Sequence, residues 1–180
     1  MSTLPMIDPS TADGPAADLM AGVRRELGAV PNMYRTLANS PALLSGYLGL
    51  SGAMGGGVLS PQVRESIALT VSQSNGCVHC LSAHSFLAEK VAHLSAEDIA
   101  EARKGHARDP KTAALLSFAA TVNDTRGRVT EDDFDDVRAA GATDEEIAET
   151  IGNVALTVFT NYFNIACNVP VDSSVTAVEL

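Results

Sequence analysis

Two cysteines and a histidine stand close together in the first half of the 180-residue chain, at Cys77, Cys80 and His84. On a helix, Cys77 and Cys80 lie one turn apart and His84 lies one turn beyond Cys80, so all three project from one face. His84 can then take the proton of Cys80 or hold its thiolate as an ion pair. Cys77 stands close enough to attack an oxidised Cys80, so this spacing predicts dithiol–disulfide chemistry.

The residues that precede Cys77 predict a reactive sulfur. Asn75-Gly76 should end one helix, which places Cys77 in the opening turn of the next helix. Unpaired amides and the positive end of the helix dipole favour a thiolate there, lowering the pKa of Cys77 below its reference value of about 8.5. A peroxide would convert the first sulfur to a sulfenic acid, and the second sulfur would condense with it to a disulfide.

Two further side chains are candidates for moving protons. Glu65 lies on the preceding helix, and a helix-turn-helix would fold its carboxylate back over the cysteines, although spacing alone does not show this. His79 lies about 100° from Cys80 around the helix axis, so it faces either the site or the solvent. Taken in isolation, Glu65 would be an ordinary surface acid next to Arg64.

Together, Glu65, Cys77, His79, Cys80 and His84 reproduce the pattern E-x11-C-x-H-C-x3-H of the alkylhydroperoxidase D active site. The surrounding segment resembles the carboxymuconolactone decarboxylase superfamily, and the resemblance covers roughly residues 25–170. Four further blocks resemble the peroxidase-related branch of that superfamily, at residues 27–34, 94–114, 126–129 and 161–164.

The resemblance implies an all-α fold and a cysteine-based peroxidase that needs no haem, flavin or metal. It implies that Cys80 is the peroxidatic thiol and Cys77 the resolving thiol, with Glu65, His79 and His84 as the proton relay. It also implies a homotrimer or homohexamer, reduction by a dihydrolipoyl-bearing protein, and a peroxiredoxin partner. In the best-understood members the motif lies in the C-terminal half of the chain, whereas here it lies in the first half. The resemblance therefore supports the proposed chemistry more strongly than the proposed partner proteins.

Other interpretations of the cysteine pair stay open. A structural zinc site normally takes four ligands, and the sequence offers no second cysteine pair to complete one. The non-redox decarboxylase or lactone chemistry for which the superfamily is named needs no thiol pair, which argues against it here. A redox-sensing interaction protein, whose disulfide changes its oligomeric state without useful turnover, is the third alternative.

The elements that must position these residues are predicted to be helices. Residues that favour the N-cap position stand before a proline or before acids at Ser40, Ser60, Ser95, Asp109, Thr130 and Thr143. No stretch shows sustained alternation of period two, so we expect no sheet. The predicted helices are residues 15–27, 31–39, 41–54, 61–74, 77–92, 96–104, 110–125, 131–140 and 144–167. The glycine-rich residues 52–57 are expected to form a flexible joint.

Composition favours a single globular domain. The chain is 46% hydrophobic and 19% charged, which is typical of a folded protein rather than a disordered one. The net charge of -10 and the lack of a basic run argue against nucleic acid as a partner. We expect a flexible arm at residues 1–14, an alkylhydroperoxidase D-like helical domain at 15–170 and a C-terminal tail at 171–180.

The sequence also gives predictions for the cellular location of the protein, for the third cysteine and for the last helix. The sequence shows no signal-peptide pattern and no long uncharged apolar segment, so we expect a cytoplasmic protein that has no membrane partner. Cys167 has no histidine at helical spacing and is predicted to be a small buried apolar residue. The last helix has apolar residues on nearly all sides, which indicates core packing combined with contact to another subunit.

Overall fold

A computed structural model describes residues 2–180, and within this range the chain forms nine α-helices and no β-strand. The helices are α1 (Gly14–Leu27), α2 (Asn32–Leu37), α3 (Pro41–Gly55), α4 (Pro61–Ser74), α5 (Val78–Lys90), α6 (Ala96–Ala102), α7 (Pro110–Thr125), α8 (Glu131–Ala139) and α9 (Asp144–Ala166). The all-α prediction is confirmed, and every predicted helix is present with its ends within about two residues of the expected positions.

Side-chain caps begin the helices that the sequence marked. Each of the six predicted cap residues accepts a hydrogen bond from a backbone N–H of the first turn, at Ser40, Ser60, Ser95, Asp109, Thr130 and Thr143. In α8 and α9, the carboxylates of Asp133 and Glu146 accept a hydrogen bond from the backbone N–H of the cap residue and complete a capping box. Caps of this kind each contribute about 1 kcal/mol, which explains why the helix starts could be predicted locally.

Helix α4 is the central element of the main core. Residues 66–72 of α4 are all buried, and this helix packs against α5, α6, α7 and α9. Its Ile67 and Leu69 lie in one apolar cluster with Leu81 of α5 and Leu116 of α7. Because Glu65 immediately precedes this buried stretch and the cysteines follow the end of α4, the core fixes both sides of the candidate site.

A second, smaller core joins the first three helices to α9. Met20 of α1, Leu37 of α2 and Leu44 of α3 are buried in it, and Phe159 and Phe163 of α9 pack against them. Helix α9 therefore connects the two cores. None of the helices within residues 2–180 has the length and hydrophobicity needed to cross a lipid bilayer.

The glycine-rich residues 52–57 do not form the flexible joint that was expected. Residues 52–55 complete α3, and the Glu149 carboxylate of α9 accepts hydrogen bonds from the backbone N–H groups of Val58 at 2.9 Å and Leu59 at 3.0 Å. A Cβ on Gly57 would lie 2.3 Å from this carboxylate. Gly57 is thus required for the close approach of Glu149, and the segment is fixed by a contact that is distant in sequence.

The described residues that precede α1 are hydrogen-bonded to other parts of the chain. Thr3 donates its N–H to the carbonyl of Cys167 at 2.6 Å, and Ile7 donates to the carbonyl of Arg35 at 3.0 Å. Residues before α1, expected to form a loosely held arm, therefore bind α2 and the end of α9. The division of the chain at residues 14/15 and 170/171 stays a prediction.

The central position of α4 predicts a large effect of truncating Leu69, which is fully buried. Leu69→Ala should lower the free energy of unfolding by about 2–5 kcal/mol, because a cavity is left between packed helices. Leu27→Ala is the control, since Leu27 is 54% exposed and the change should cost within about 0.5 kcal/mol. Urea unfolding followed by circular dichroism at one protein concentration measures both. Equal effects of the two substitutions would contradict the central role of α4.

Candidate functional site

A tight reversal between α4 and α5 forms the site. Gly76 adopts a left-handed conformation with φ of 67°, which glycine tolerates best, and the N–H of Cys77 then bonds the carbonyl of Ser72 at 3.0 Å. The reversal folds α5 back along α4. As a result, Glu65 near the start of α4 lies beside His84 in the middle of α5.

The two cysteines lie at the N-terminus of α5. Cys77 is the N-cap residue, and its sulfur accepts a hydrogen bond from the backbone N–H of Cys80 at 3.3 Å. Cys77 is 1% exposed and Cys80 is 3% exposed, so both sulfurs are shielded from solvent. Both are free thiols rather than a disulfide. This placement agrees with the predicted position at the opening of the helix.

The two sulfurs are 2.6 Å apart, and the Cys77 thiol donates its hydrogen to Cys80. That hydrogen bond is the main cause that lowers the pKa of Cys80 to about 6, and it outweighs the opposing effect of burial. The amide of Asn164, the charge of His84 and the amide of Asn161 lower it further. Cys80 is therefore the sulfur that is ionised near neutral pH.

The prediction that Cys77 carries the lowered pKa is wrong. The hydrogen bond to Cys80 raises the pKa of Cys77, and burial and the negative charge of Cys80 raise it further. Backbone amides of Cys80 and His79 act in the opposite direction, as expected for a helix N-terminus, but they are weaker. The helix end thus favours a thiolate, and the pairing of the sulfurs decides which cysteine carries it.

Glu65 and His84 form a partly exposed pair beside the sulfurs. The Nδ1 of His84 lies 2.8 Å from Oε2 of Glu65, and the two side chains are 25% and 21% exposed. Burial by itself would lower the pKa of His84, but the charge and hydrogen bond of Glu65, together with the charge of Cys80, raise it. An imidazolium held next to a thiolate can deliver a proton to a group that leaves as an anion.

His79 points away from this pair. It is 8% exposed, and its Nδ1 lies 3.1 Å from the carbonyl oxygen of Pro170, close to the end of α9. The same C-terminal segment reaches α5 again where the N–H of Val178 bonds Oγ of Ser82 at 3.0 Å. The structure thus brings together Glu65, Cys77, Cys80 and His84, and it places His79 against the C-terminal segment.

Helix α9 adds residues that the sequence analysis missed. Its buried polar side chains recur at helical spacing and form a stripe, here called the α9 polar stripe: Thr150, Asn153, Thr157, Thr160, Asn161 and Asn164. The signal was present in the sequence, because polar residues repeated every three or four positions in an otherwise apolar helix require buried partners. The prediction for α9 was based on its apolar residues alone.

Two asparagines of the α9 polar stripe reach the reversal and the sulfurs. Nδ2 of Asn161 donates to Oγ of Ser72 at 3.1 Å, and its Oδ1 accepts from Asn75 at 3.0 Å. Nδ2 of Asn164 lies 3.2 Å from Sγ of Cys80. The stripe therefore holds the α4–α5 reversal in place and supplies a donor to the ionised sulfur.

A cavity of about 250 Å³ opens beside the Glu65–His84 pair. Its other walls include Tyr34, Tyr47 and Met54, and the rings of the two tyrosines are 5.6 Å apart in an edge-to-face arrangement. Burial, and then the neighbouring Tyr34, raise the pKa of Tyr47, and the charge of Cys80 adds to this effect. The cavity thus reaches two residues that interact electrostatically with Cys80.

No group of three or more histidine, cysteine, aspartate or glutamate side chains is arranged as a metal site within residues 2–180. A second cavity, of about 300 Å³, lies between α4 and the start of α7 and includes Ser66, His106 and Arg108 in its walls. None of the five predicted site residues lines it. The predicted site residues therefore lie along α4 and α5, away from this cavity.

Residues 41–124 match the model of the carboxymuconolactone decarboxylase family. The chain is 23% identical to the alkylhydroperoxidase AhpD core of a peroxidase-related protein from Ralstonia eutropha JMP134, with a TM-score of 0.86 over 96% of this chain and 93% of that one. A peroxidase-related protein from Silicibacter sp. TM1040 is also 23% identical, with a TM-score of 0.83 over 95% of this chain and 91% of that one.

The debrominase Bmp8 shares the fold at greater distance, with 21% identity and a TM-score of 0.74 over 88% of this chain and 87% of that one. No curated protein sequence matches the chain. At these identities the solved structures establish the fold. They confirm the all-α, alkylhydroperoxidase D-like architecture that the five-residue motif implied.

The shared hydrogen between the sulfurs predicts how the pKa of Cys80 responds to changes at Cys77. In the wild type, alkylation of Cys80 should be half-maximal near pH 6, with the unreactive thiol below that pH and the thiolate above it. Cys77→Ala removes the donor and should move the midpoint upward by about one to two pH units. Cys77→Ser keeps an O–H donor and should shift it less.

Iodoacetamide labelling across pH, with the modified peptide quantified by mass spectrometry, measures these midpoints. Cys167→Ser serves as the control, because Cys167 lies at the end of α9 and is not bonded to either sulfur. An unchanged midpoint in Cys77→Ala would show that the hydrogen bond between the sulfurs does not set the pKa of Cys80.

Proposed function

We propose that the protein is a cysteine-based peroxidase that reduces hydroperoxides, on the premise that residues 41–124 match the carboxymuconolactone decarboxylase family and that the chain has an alkylhydroperoxidase D-like fold. The observation that carries the proposal is the sulfur pair itself. A sulfur whose pKa is lowered to about 6 lies 2.6 Å from a second, protonated sulfur. Such a pair combines a nucleophile with the group that resolves its oxidised form.

In the first step, the Cys80 thiolate attacks the terminal oxygen of the hydroperoxide. The S–O bond forms, the O–O bond breaks, and the departing alkoxide takes a proton to leave as an alcohol. Cys80 ends as a sulfenic acid. His84 is the proposed proton donor, because Glu65 at 2.8 Å raises its pKa and holds its ring in place.

In the second step, the sulfur of Cys77 attacks the oxidised sulfur of Cys80. The S–S bond forms, the S–O bond breaks, and the hydroxyl group leaves as water after taking the proton that Cys77 releases. The contact between the two sulfurs supports this step, since they need little movement to bond. Glu65 and His84 are the proposed route for the protons. His79, held against Pro170, would act in this relay only indirectly.

The disulfide must then be reduced by an external dithiol through thiol–disulfide exchange. We propose a dihydrolipoyl-bearing protein as this reductant and a peroxiredoxin as a further redox partner, as the sequence resemblance implies. Both sulfurs are nearly fully buried, so the dithiol arm must be slender or the part of the chain that covers the sulfurs must move aside. A lipoyl group on a flexible lysine would meet the first requirement.

We further propose that the protein is a homotrimer or homohexamer. Helix α3 carries no charged residue from Pro41 to Gly55, yet Leu44 is its single buried residue. Helix α9 exposes Ile151, Tyr162 and Ile165. Apolar side chains left in solvent on neighbouring elements support an association between copies of the chain.

Light scattering after size-exclusion chromatography tests the assembly. The expected mass is three or six times the 18.7 kDa of the chain. Tyr162→Glu should lower the mass, because it places a charge among exposed apolar residues of α9. Leu27→Glu is the control, because Leu27 on α1 is also more than half exposed, and this change should leave the mass unchanged. A monomeric wild type at micromolar concentration would contradict the proposal.

The peroxidase itself is tested with reduced protein and an organic hydroperoxide. Without any reductant, the wild type should consume about one equivalent and form the Cys77–Cys80 disulfide, detected by mass spectrometry as the loss of two hydrogens. Cys80→Ser should reduce consumption to background, because the nucleophile is lost. Cys77→Ser should consume one equivalent and accumulate a sulfenic acid that dimedone traps. Cys167→Ser is the matched control and should behave like the wild type.

The same experiment separates the alternatives. Full activity in Cys80→Ser would show that another group is the nucleophile. A decarboxylase or lactone reaction that survives thiol alkylation would favour the non-redox chemistry of the family. If oxidation changed the oligomeric state while peroxide turnover with dihydrolipoamide stayed at background, a redox-sensing role would replace the enzyme.

A further inference from the structure

Asn164 of α9 contacts the ionised sulfur of Cys80. It lies on α9, is 3% exposed, and directs Nδ2 to Sγ of Cys80 at 3.2 Å and to the sulfur of Met33 at 3.4 Å. The contact joins residues that are 84 positions apart in sequence. The fold therefore brings Asn164 to the reacting sulfur, although Asn164 is not part of the five-residue sequence motif.

The two sulfur contacts define the orientation of the Asn164 carboxamide. Both sulfurs accept hydrogen bonds, so the NH2 group faces them, and a reversed amide would place its oxygen against two electron-rich atoms. The remaining atom, Oδ1, is buried and has no hydrogen-bond partner among the described residues. A buried carbonyl oxygen without a donor is costly, and a ligand that brings a hydroxyl group would satisfy it.

The rest of the α9 polar stripe is different in this respect. Thr150, Asn153 and Thr157 donate to backbone carbonyls of α9 itself, at 2.8 Å in each case. Asn161 uses both ends of its amide, on Ser72 and on Asn75. Within the stripe, Asn164 thus combines a contact to the reacting sulfur with an unused acceptor.

We propose that Asn164 is a catalytic residue, whose N–H group holds the Cys80 thiolate and whose carbonyl oxygen accepts the O–H group of the oxygen that bonds to the sulfur. This inference rests on the proposed peroxidase. The hydroperoxide O–H donates to Oδ1 before attack. After the S–O bond forms and the O–O bond breaks, the same hydrogen is the sulfenic acid hydrogen and still donates to Oδ1.

A neutral amide suits both states of the sulfur. The thiolate is an acceptor and needs donors, whereas the sulfenic acid carries a hydroxyl donor and needs an acceptor. A carboxamide carries one donor group, NH2, and one acceptor, the carbonyl oxygen, on the same carbon atom. A carboxylate would repel the thiolate, and an aliphatic side chain would serve neither state.

The thiolate part is tested by alkylation of Cys80 across pH, a measurement that needs no peroxide. The ionisable groups around this sulfur are Cys77, His84 and Tyr47, and none of them is altered. Asn164→Leu should raise the midpoint by about one to two pH units, because a donor to a charged sulfur is lost. Asn164→Asp should raise it further, because a negative charge replaces that donor. Thr150→Val, which alters the α9 polar stripe away from the sulfurs, should leave it unchanged.

The carbonyl part is tested by the rate of sulfenic acid formation in the Cys77→Ser background, at a pH above all measured midpoints. There Asn164→Leu should remain about tenfold slower than the parent, since the thiolate is fully formed in both proteins, the lost donor no longer changes its amount, and the acceptor is still missing. Equal rates would overturn the acceptor role. Circular dichroism confirms that each variant is folded, and Asn164→Asp, nearly identical in shape, repeats the pH test if the leucine variant fails to fold.

The outcomes separate this inference from the proposed function. Unchanged alkylation midpoints in both Asn164 variants would overturn the contact to the thiolate, even if the wild type reduces peroxides normally. If the midpoints shift but no form of the protein consumes peroxide, the peroxidase proposal fails and the acceptor role fails with it. The amide is then a thiolate-positioning group for a different reaction.

Discussion

The hydrogen bond between Cys77 and Cys80 is the interaction on which the site depends. Two cysteines three residues apart are chemically equivalent in an extended chain, with thiol pKa values near 8.5. A single shared hydrogen over 2.6 Å makes them different, since it lowers the pKa of one sulfur and raises that of the other. The direction is set by the surroundings, because the donors from α9 and the imidazole of α5 face Cys80.

Burying an ionised sulfur requires the fold to supply donors that would otherwise be water. Helix α9 meets this need while it also joins the two apolar cores. Its polar stripe interrupts what would be an apolar surface, and Asn161 uses that stripe to tie the α4–α5 reversal to the core. Stability and reactivity are thus coupled in one helix, and a change that improves its packing by removing an asparagine should weaken the site.

Local signals in the sequence predicted most of the fold. The caps at Ser60 and Thr143, for example, are interactions within one helical turn, and they determined where α4 and α9 begin. The helix-turn-helix that was expected to bring Glu65 over the cysteines is present and places it on His84. These features depend on residues that are close in sequence or on a short reversal, and such contacts can be predicted from the sequence alone.

What the sequence did not predict depends on contacts between distant segments. The assignment of the lowered pKa to Cys77 considered the helix dipole alone, and it omitted the donors that α9 directs at Cys80. Glu149 fixes the glycine-rich segment from about 90 residues away, so glycine content alone suggested mobility where there is a close contact. His79 could not be placed, because its partner is the backbone of Pro170 rather than a recognisable side chain.

The contact between the sulfurs also bears on how long such a protein would survive its own substrate. A sulfenic acid that waits for a partner can meet a second peroxide and pass to the sulfinic state, which ordinary thiols do not reverse. With Cys77 already touching Cys80, the competing reaction is intramolecular and has a very high effective concentration. Under the proposed chemistry, this geometry protects the enzyme from oxidative inactivation when peroxide is abundant, and it moves the limit on turnover to the supply of reductant.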